Sequence, residues 1–335
     1  MRIPIGKVYT PDELLETAFH KARQSAGRSR GTLKGKGLTR AIKSRALEMT
    51  KVVVSSDILI KKLQEIIDGM PRIDEFAPFY RELVNCTMDP DAYKKALGAV
   101  DWAAGQLKKI AKITRDGIKR SHDLNTITKY RSAFYGRAAS VVKQIRKGLA
   151  YLDECRRIFR EFPNIKTGMP TVVIAGYPNV GKSTLLKALT GANPKIAPYP
   201  FTTKQLMLGY ADEMQFIDTP GLLDKPFAKR NPVEKHAILA LKHLSTLILF
   251  VIDPTESCGY QLESQIELLS QVRALFKMQI LVVFTKLDIA KPGQTAAAKK
   301  LVEEETSEVD TTNKASVEKL LSSIGKYARV DQIPA

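Results

Sequence analysis

Hydrophobic positions in the first half of the chain recur with the period of a helix. PDELLETAFHKAR (11–23) places Leu14, Leu15, Ala18, Phe19 and Ala22 on one face, the spacing of an amphipathic helix. Thr10 suits its N-cap and Pro11 its first turn, and Asp12 and Glu13 favour the positive helix end. A longer pattern runs from Thr39 to Met70, with Val52, Val53, Leu59, Leu63, Ile66 and Ile67 as its apolar positions, and closes at Asp68-Gly69 and Pro71. A shorter, proline-interrupted helix is expected over 74–84, and long helices over 89–120 and 123–162. No strand alternation interrupts this, so residues 1–167 read as an all-α bundle. After the linker PNIKTGMP (163–170) the pattern changes. Short apolar runs at 171–175, 204–210, 213–217, 247–252 and 279–284 alternate with helical stretches at 182–190, 232–245, 257–276 and 315–328. Such alternation predicts a mainly parallel sheet with helices on both faces, and Ala211-Asp212-Glu213 predicts one antiparallel hairpin.

Charge separates the two halves as sharply as hydropathy does. The 335 residues carry a formal net charge of +18, and residues 1–170 hold 34 Lys and Arg against 18 Asp and Glu. A first half so basic suggests a polyanionic partner, RNA foremost; a solvated basic surface is the alternative. GRSRGTLKGKGLTR (27–40) contains Arg28, Arg30, Lys34, Lys36 and Arg40 and no acid, and reads as a flexible loop or as a segment that settles on phosphate. In RSAFYGR (131–137) the aromatics stand between arginines, as bases would require for stacking. Helical spacing assigns Phe134 and Tyr135 to the core or the bundle edge instead, and Trp102 likewise. Cys86, Cys155 and Cys258 are scattered and read as free thiols of a reducing compartment. No apolar run reaches the length of a membrane span, LILFVI (247–252) reads as a buried strand, and the N-terminus lacks a secretory pattern. A cytoplasmic protein without a membrane partner is expected.

The chemistry lies in the second half. PTVVIAGYPNVGKST (170–184) carries a strand into G-x-x-x-x-G-K-S, the phosphate-binding loop. Gly176 and Gly181 let the backbone curl around a polyphosphate; Tyr177, Pro178, Asn179 and Val180 complete the loop, and Thr184 follows it into the helix. Lys182 supplies charge to the β- and γ-phosphates, and Ser183 a hydroxyl to Mg2+. PYPFTTK (198–204) offers a hydroxyl that closes over the γ-phosphate and ligates magnesium, with Thr203 preferred to Thr202. QFIDTPG (215–221) ends a strand at Asp218, a magnesium carboxylate, followed by Thr219, Pro220 and Gly221, whose N–H serves the γ-phosphate. ILVVFTKLD (280–288) places Thr285, Lys286 and Asp288 at another strand end: Asp288 accepts from guanine N1–H and its 2-amino group, and the Lys286 stem packs on the base. Four motifs in this order, each where open sheets bind ligands, point to a GTPase using GTP/GDP and Mg2+. The expected fold class is α + α/β: an all-α helical bundle (1–167), then a P-loop GTPase (Ras-like) α/β domain (168–335).

Longer strings extend this reading. APYPFTTK, DTPGLLDKP, RNPVEKHAILALKHL and DPTESCGY, with DELLETAF, PFYREL, DAYKKALGAVDWA and RSAFYGRAASVVKQI in the helical half, resemble the nucleolar GTP-binding protein 1 (Nog) family, within the Obg/HflX-like GTPases. The resemblance covers essentially the whole chain and looks like the short archaeal form. It implies a large-ribosomal-subunit assembly factor whose helical domain lies on ribosomal RNA and precursor particles. It implies no DNA partner, a monomer off the ribosome, and nucleolar location in a eukaryotic source. A nucleotide-gated RNA-binding placeholder with incidental turnover is the alternative. Two departures stand out. Thr285 replaces the usual Asn, which removes the amide that ties this element to the phosphate loop. The final base-contacting turn is not evident, with Ser307, Thr311 and Thr312 as candidates. Leu222 stands where Ras-like enzymes carry the water-orienting Gln, and Arg230 has no assignable role as an arginine finger. Asn179 occupies the position where potassium-activated GTPases carry Asn, which implies K+ beside the phosphates and a catalytic part for Asn179 along with Lys182, Thr203 and Gly221. The alternative is that Asn179 only shapes the loop.

Overall fold

The structure, a computed structural model, describes residues 5–32, 39–191, 193–198, 205–225, 230 and 232–328. Packing divides the chain into two compact units. One takes the segments up to Arg72 and from Met88 to Arg160; the other takes Ile73–Thr87 and the chain from Glu161 onward.

In the first unit, α1 (Pro11–Thr32) opens with a reciprocal cap: the Glu13 N–H donates to Thr10 Oγ1 at 3.2 Å and the Thr10 N–H to Glu13 Oε2 at 2.9 Å. The helix runs nine residues beyond the predicted end because Ala22 and Ala26 continue its buried face. Arg28 and Arg30 are thus on a helix, not in a loop, and exposed to solvent, where their repulsion is screened. Arg40 opens α2 (Arg40–Gly69), capped by Thr39 Oγ1 accepting from the Ile42 N–H. Lys34 and Lys36 lie outside the described residues. Of the predicted apolar face of α2, Val52, Leu59, Leu63 and Ile66 are buried, while Val53 and Ile67 are half-buried.

A 3-10 turn (Ile73–Glu75) and α3 (Pro78–Thr87) follow and belong to the second unit. The first unit resumes with α4 (Pro90–Arg120), capped by Asp89, and α5 (Leu124–Gln144), capped by Asp123. The predicted helix over 123–162 is broken: α5 stops, Ile145 turns at φ −90° and ψ 10°, and α6 (Arg146–Glu161) begins. Ile145 is buried and keeps the apolar period of Val142 and Leu149, so periodicity runs straight through the break. Phe134 is fully buried, and Tyr135 stacks on Phe19 at 4.1 Å. Trp102 is 45% exposed, at the edge and not in the core.

The second unit is a seven-stranded sheet in the order β2-β3-β4-β1-β5-β6-β7. Its elements are β1 (Thr171–Ala175), α7 (Lys182–Thr190), β2 (Lys195–Pro198), β3 (Gln205–Ala211), β4 (Met214–Asp218), α8 (Pro232–Lys242), β5 (Leu247–Ile252), α9 (Leu262–Phe276), β6 (Ile280–Phe284), α10 (Gln294–Lys300), β7 (Glu305–Glu308) and α11 (Lys314–Ala328). Every residue of β1, β4, β5 and β6 is buried, as parallel strands covered on both faces require. Ile174 pairs with Asp218 and Leu249, and Phe250 with Val282, so these four strands end together at one edge. The predicted hairpin joins β3 to β4, with Asp212 and Glu213 at φ 46° and 62°, the double left-handed conformation a two-residue hairpin turn needs. The sequence did not anticipate β2, which adds a second antiparallel pair. α3 packs against α8, and the Tyr80 hydroxyl lies 2.9 Å from the Pro163 carbonyl and 3.0 Å from that of Ile165. All three cysteines are free, and burial raises the Cys86 and Cys155 thiols to about 11. Among the described residues no helix is long and apolar enough to cross a membrane.

Candidate nucleotide site

The site grows from the end of β1. Gly176 has φ +136°, and a Cβ there would meet the Val251 carbonyl at 2.5 Å, so only glycine lets the chain leave the strand in this direction. Its N–H donates to the Leu223 carbonyl at 3.1 Å. The loop closes at Gly181, φ +101°, and α7 starts at Lys182 with its N-terminal N–H groups facing the loop, a ready anion site. Lys182 is 7% exposed and its ammonium donates to the Gly176 and Tyr177 carbonyls at 2.9 and 2.7 Å. Burial pulls its pKa down, against the opposing pull of Asp218 and Asp224. Tyr177 is buried and stacks on Tyr260 at 4.1 Å. Pro178 is half-buried, Val180 fully buried and Thr184 exposed; Asn179 is exposed with φ 63°, a left-handed conformation that Asn tolerates better than most residues.

The end of β4 faces this loop. The Ser183 hydroxyl donates to Asp218 Oδ2 at 2.7 Å, while Asp218 Oδ1 is buried without a hydrogen-bond partner among the described residues, as is Thr219 Oγ1. Burial raises the Asp218 pKa, against the Ser183 hydrogen bond and the Lys182 charge. A hydroxyl oxygen beside a carboxylate with one orphaned oxygen is the hard donor set a magnesium ion takes, and the residues fit that ion. Pro220 leads to Gly221, φ +77°, whose N–H donates to Asp224 Oδ2 at 2.7 Å. Leu222 is wholly buried and turned away from solvent. Arg230 is 6% exposed and its guanidinium donates to the Lys225 carbonyl. Such burial does not suit a contact with RNA. Thr202 and Thr203 lie outside the described residues.

On the base side, Thr285 is buried at the end of β6 and its hydroxyl donates to the Val180 carbonyl at 2.6 Å. The expected loss of the tie to the phosphate loop does not occur: a hydroxyl is long enough because Gly181 brings the loop within van der Waals reach of Thr285. Asp288 is exposed at the rim and Lys286 is half-buried. Ser307 lies in β7 beside Val283, and Thr311 and Thr312 follow in a turn where Asp310 Oδ1 accepts from the Thr312 N–H. The described contacts tie none of the three to the loop.

The turn after β5, DPTESCGY, carries contacts that its resemblance to the family did not foretell. Asp253, fully buried, accepts from the Thr255 and Cys258 N–H groups at 2.9 and 2.8 Å and from the Thr255 and Ser257 hydroxyls at 2.6 and 3.0 Å, and pairs with Lys286 at 2.9 Å. Burial raises its pKa, but these hydrogen bonds together outweigh that and hold the carboxyl below its ordinary value. Gln265, also buried, receives the Asp253 N–H and donates to the Asp253 and Tyr260 carbonyls. Through Tyr260 against Tyr177 and Asp253 against Lys286, this one turn braces both sides of the site. The available signal was an acid placed directly after a wholly apolar strand.

Phosphate loop, Ser183–Asp218 pair and base-side strand end meet at one edge of a P-loop sheet, and together they define a GTP-binding protein of the P-loop GTPase class. Residues 3–166 match the NOG1 N-terminal helical domain family, and residues 171–286 the 50S ribosome-binding GTPase family. The chain belongs to the nucleolar GTP-binding protein 1 family. It is 41% identical over 282 residues to the uncharacterized protein MJ1408 of Methanocaldococcus jannaschii, covering 84% of this chain and 79% of that one. It is 35% identical over 253 residues to nucleolar GTP-binding protein 1 of Saccharomyces cerevisiae, and 37% over 284 residues to that of Arabidopsis thaliana. These alignments cover 74% and 83% of this chain but 39% and 42% of those proteins, so the chain spans less than half their length. A crystal structure of a putative nucleolar GTP-binding protein 1 from Plasmodium falciparum, 29% identical, covers 50% of this chain and 90% of that one with a TM-score of 0.44.

Proposed function

We propose that the protein binds GTP with magnesium, hydrolyses it slowly to GDP and phosphate, and uses the bound nucleotide to govern its stay on the ribosomal RNA of large-subunit precursors. The observation that supports this best is the half-satisfied Asp218 carboxylate beside Ser183, with the desolvated Lys182 ammonium close by. In this reading residues 168–335 form the nucleotide domain and residues 1–167 the RNA-facing domain, in a cytoplasmic, ribosome-associated setting (nucleolar in a eukaryote). Lys182 and the loop N–H groups hold the phosphates, Ser183, Thr203 and Asp218 hold the magnesium, and Asp288 selects guanine. The ion supplies charge neutralisation between the β- and γ-phosphates. Competition binding tests the site: GTP should exclude a labelled GDP where ATP does not, and Asp288→Asn should weaken GTP and admit xanthine nucleotide. Equal competition by ATP would remove the guanine assignment.

The buried Leu222 favours a second reading, a placeholder in which nucleotide sets conformation and turnover is incidental, because no side chain at that position can orient water. Multiple-turnover hydrolysis with and without ribosomal particles separates the two; a negligible rate in both, with nucleotide-dependent binding retained, supports the placeholder. In the hydrolytic reading the side-chain oxygen of the exposed Asn179 helps to hold K+. The basal rate should then rise in potassium over sodium at equal ionic strength, and Asn179→Ala should erase the difference.

A further inference from the structure

Gly221 has one N–H to give, and in this structure Asp224 Oδ2 receives it at 2.7 Å. This turn is fixed to the phosphate loop: the Leu222 N–H donates to the Thr219 carbonyl at 3.0 Å, and the Gly176 N–H reaches back to the Leu223 carbonyl at 3.1 Å. The carboxylate is therefore held three residues from Gly221 by a turn that is itself anchored to the loop. Its field also reaches the surrounding machinery, acting on the Lys182 ammonium, the Asp218 carboxyl and the Arg230 guanidinium.

A terminal phosphate oxygen that accepts the Gly221 N–H excludes Asp224 from it, since one proton cannot lie in line with two acceptors. The same phosphate also brings negative charge toward the carboxylate. A diphosphate presents no such oxygen to Gly221 and leaves the contact intact. We infer that Asp224 sets the preference of this site for diphosphate over triphosphate, by competing with the terminal phosphate for the Gly221 N–H. The inference rests on the nucleotide-site reading above. Asp224 is thus a specificity-determining residue that need not touch nucleotide at all, and exchange of the Gly221 proton between two anions links its release to the arrival of the third phosphate.

The test uses the full chain with excess magnesium, and compares the dissociation constants of GDP and a non-hydrolysable GTP analogue. Loss of a charge-assisted hydrogen bond in Asp224→Ala should shift the analogue-to-GDP affinity ratio toward the analogue about tenfold. Asp224→Asn, which drops the charge but keeps an acceptor oxygen, should shift it less. In the GDP complex the Gly221 amide proton should resonate downfield in the parent chain and move upfield in Asp224→Ala. A ratio changed by less than about twofold in both variants, or a Gly221 resonance indifferent to Asp224, overturns the inference while leaving the site reading in place. Should Asp224→Ala fail to fold, an Asp224→Asn ratio equal to that of the parent overturns it equally. Failure of the parent chain to bind either nucleotide overturns both.

Discussion

Thr285 carries its hydroxyl into a buried position and spends it on the Val180 carbonyl, at 2.6 Å. Thr285→Val keeps the shape and leaves that carbonyl unpaired, so unfolding free energy should fall by about 1–3 kcal/mol, and bound guanine nucleotide should leave faster as the loop loosens. Thr285→Ser should restore both. Denaturant titration and the release rate of a fluorescent GDP check this; unaltered release from a folded Thr285→Val protein would show that the hydrogen bond does not hold the loop. The residue types of the site were legible in the sequence, because loop chemistry is written in consecutive letters. The partner of Thr285 was not, since it lies over a hundred residues away and depends on how closely Gly181 lets two backbones approach. Asp253 was missed for the same reason: its bond to Lys286 exists only once β5 and β6 lie side by side.

Elements with a strong apolar period were found from sequence, though not the break at Ile145 inside one such period, and those without a period were largely missed. β2 has a single neighbour and leaves Ile196 63% exposed; β7, ETSE, has no apolar residue; α10, QTAAAKK, buries only Ala298. These are held by their neighbours more than by their own patterns. The turn that follows β5 is the opposite case, a segment held by charge. Neutralising Asp253 weakens charge-assisted hydrogen bonds within the turn and leaves the half-buried Lys286 free to turn to solvent, so Asp253→Asn should cost about 1–3 kcal/mol at neutral pH. Since the folded carboxyl titrates below its ordinary value, its stabilisation is complete above that value and disappears as pH falls through the folded one, below about pH 4. The Asn variant should therefore be less stable at pH 7 and show a shallower acid limb. Denaturation at pH 7 and pH 3 measures it; parallel stability profiles would contradict the assignment of that limb to Asp253.

At the scale of the molecule, basic charge is the dominant feature of the helical half. Arg23, Arg30, Arg40, Lys43 and Lys51 line a cavity of about 810 Å3 beside α1 and α2, and Arg28 stands exposed near it. If ribosomal RNA lies here, its affinity should fall with salt at a log–log slope of roughly −0.7 to −0.9 per phosphate neutralised. Replacing Arg28, Arg30 and Arg40 together by Ala should flatten the slope by about two to three units, with nucleotide affinity unchanged. A slope indifferent to the triple substitution would move the RNA surface elsewhere.

That measurement belongs on the whole chain, for a reason that lies in α3. Its Phe79, Tyr80, Leu83 and Val84 are almost wholly buried, in a unit whose other members begin at Glu161. During synthesis these four side chains leave the exit tunnel before the 162–165 segment that Tyr80 contacts and before α8, against which α3 packs. The newborn protein must carry an oily, uncommitted patch in the middle of an otherwise maturing bundle, a natural target for a holding chaperone. Chains arrested on the ribosome at residue 167 should remain protease-sensitive near α3 and lose that sensitivity once α8 has emerged. Protection already complete at 167 would mean that α3 finds a temporary shelter of its own.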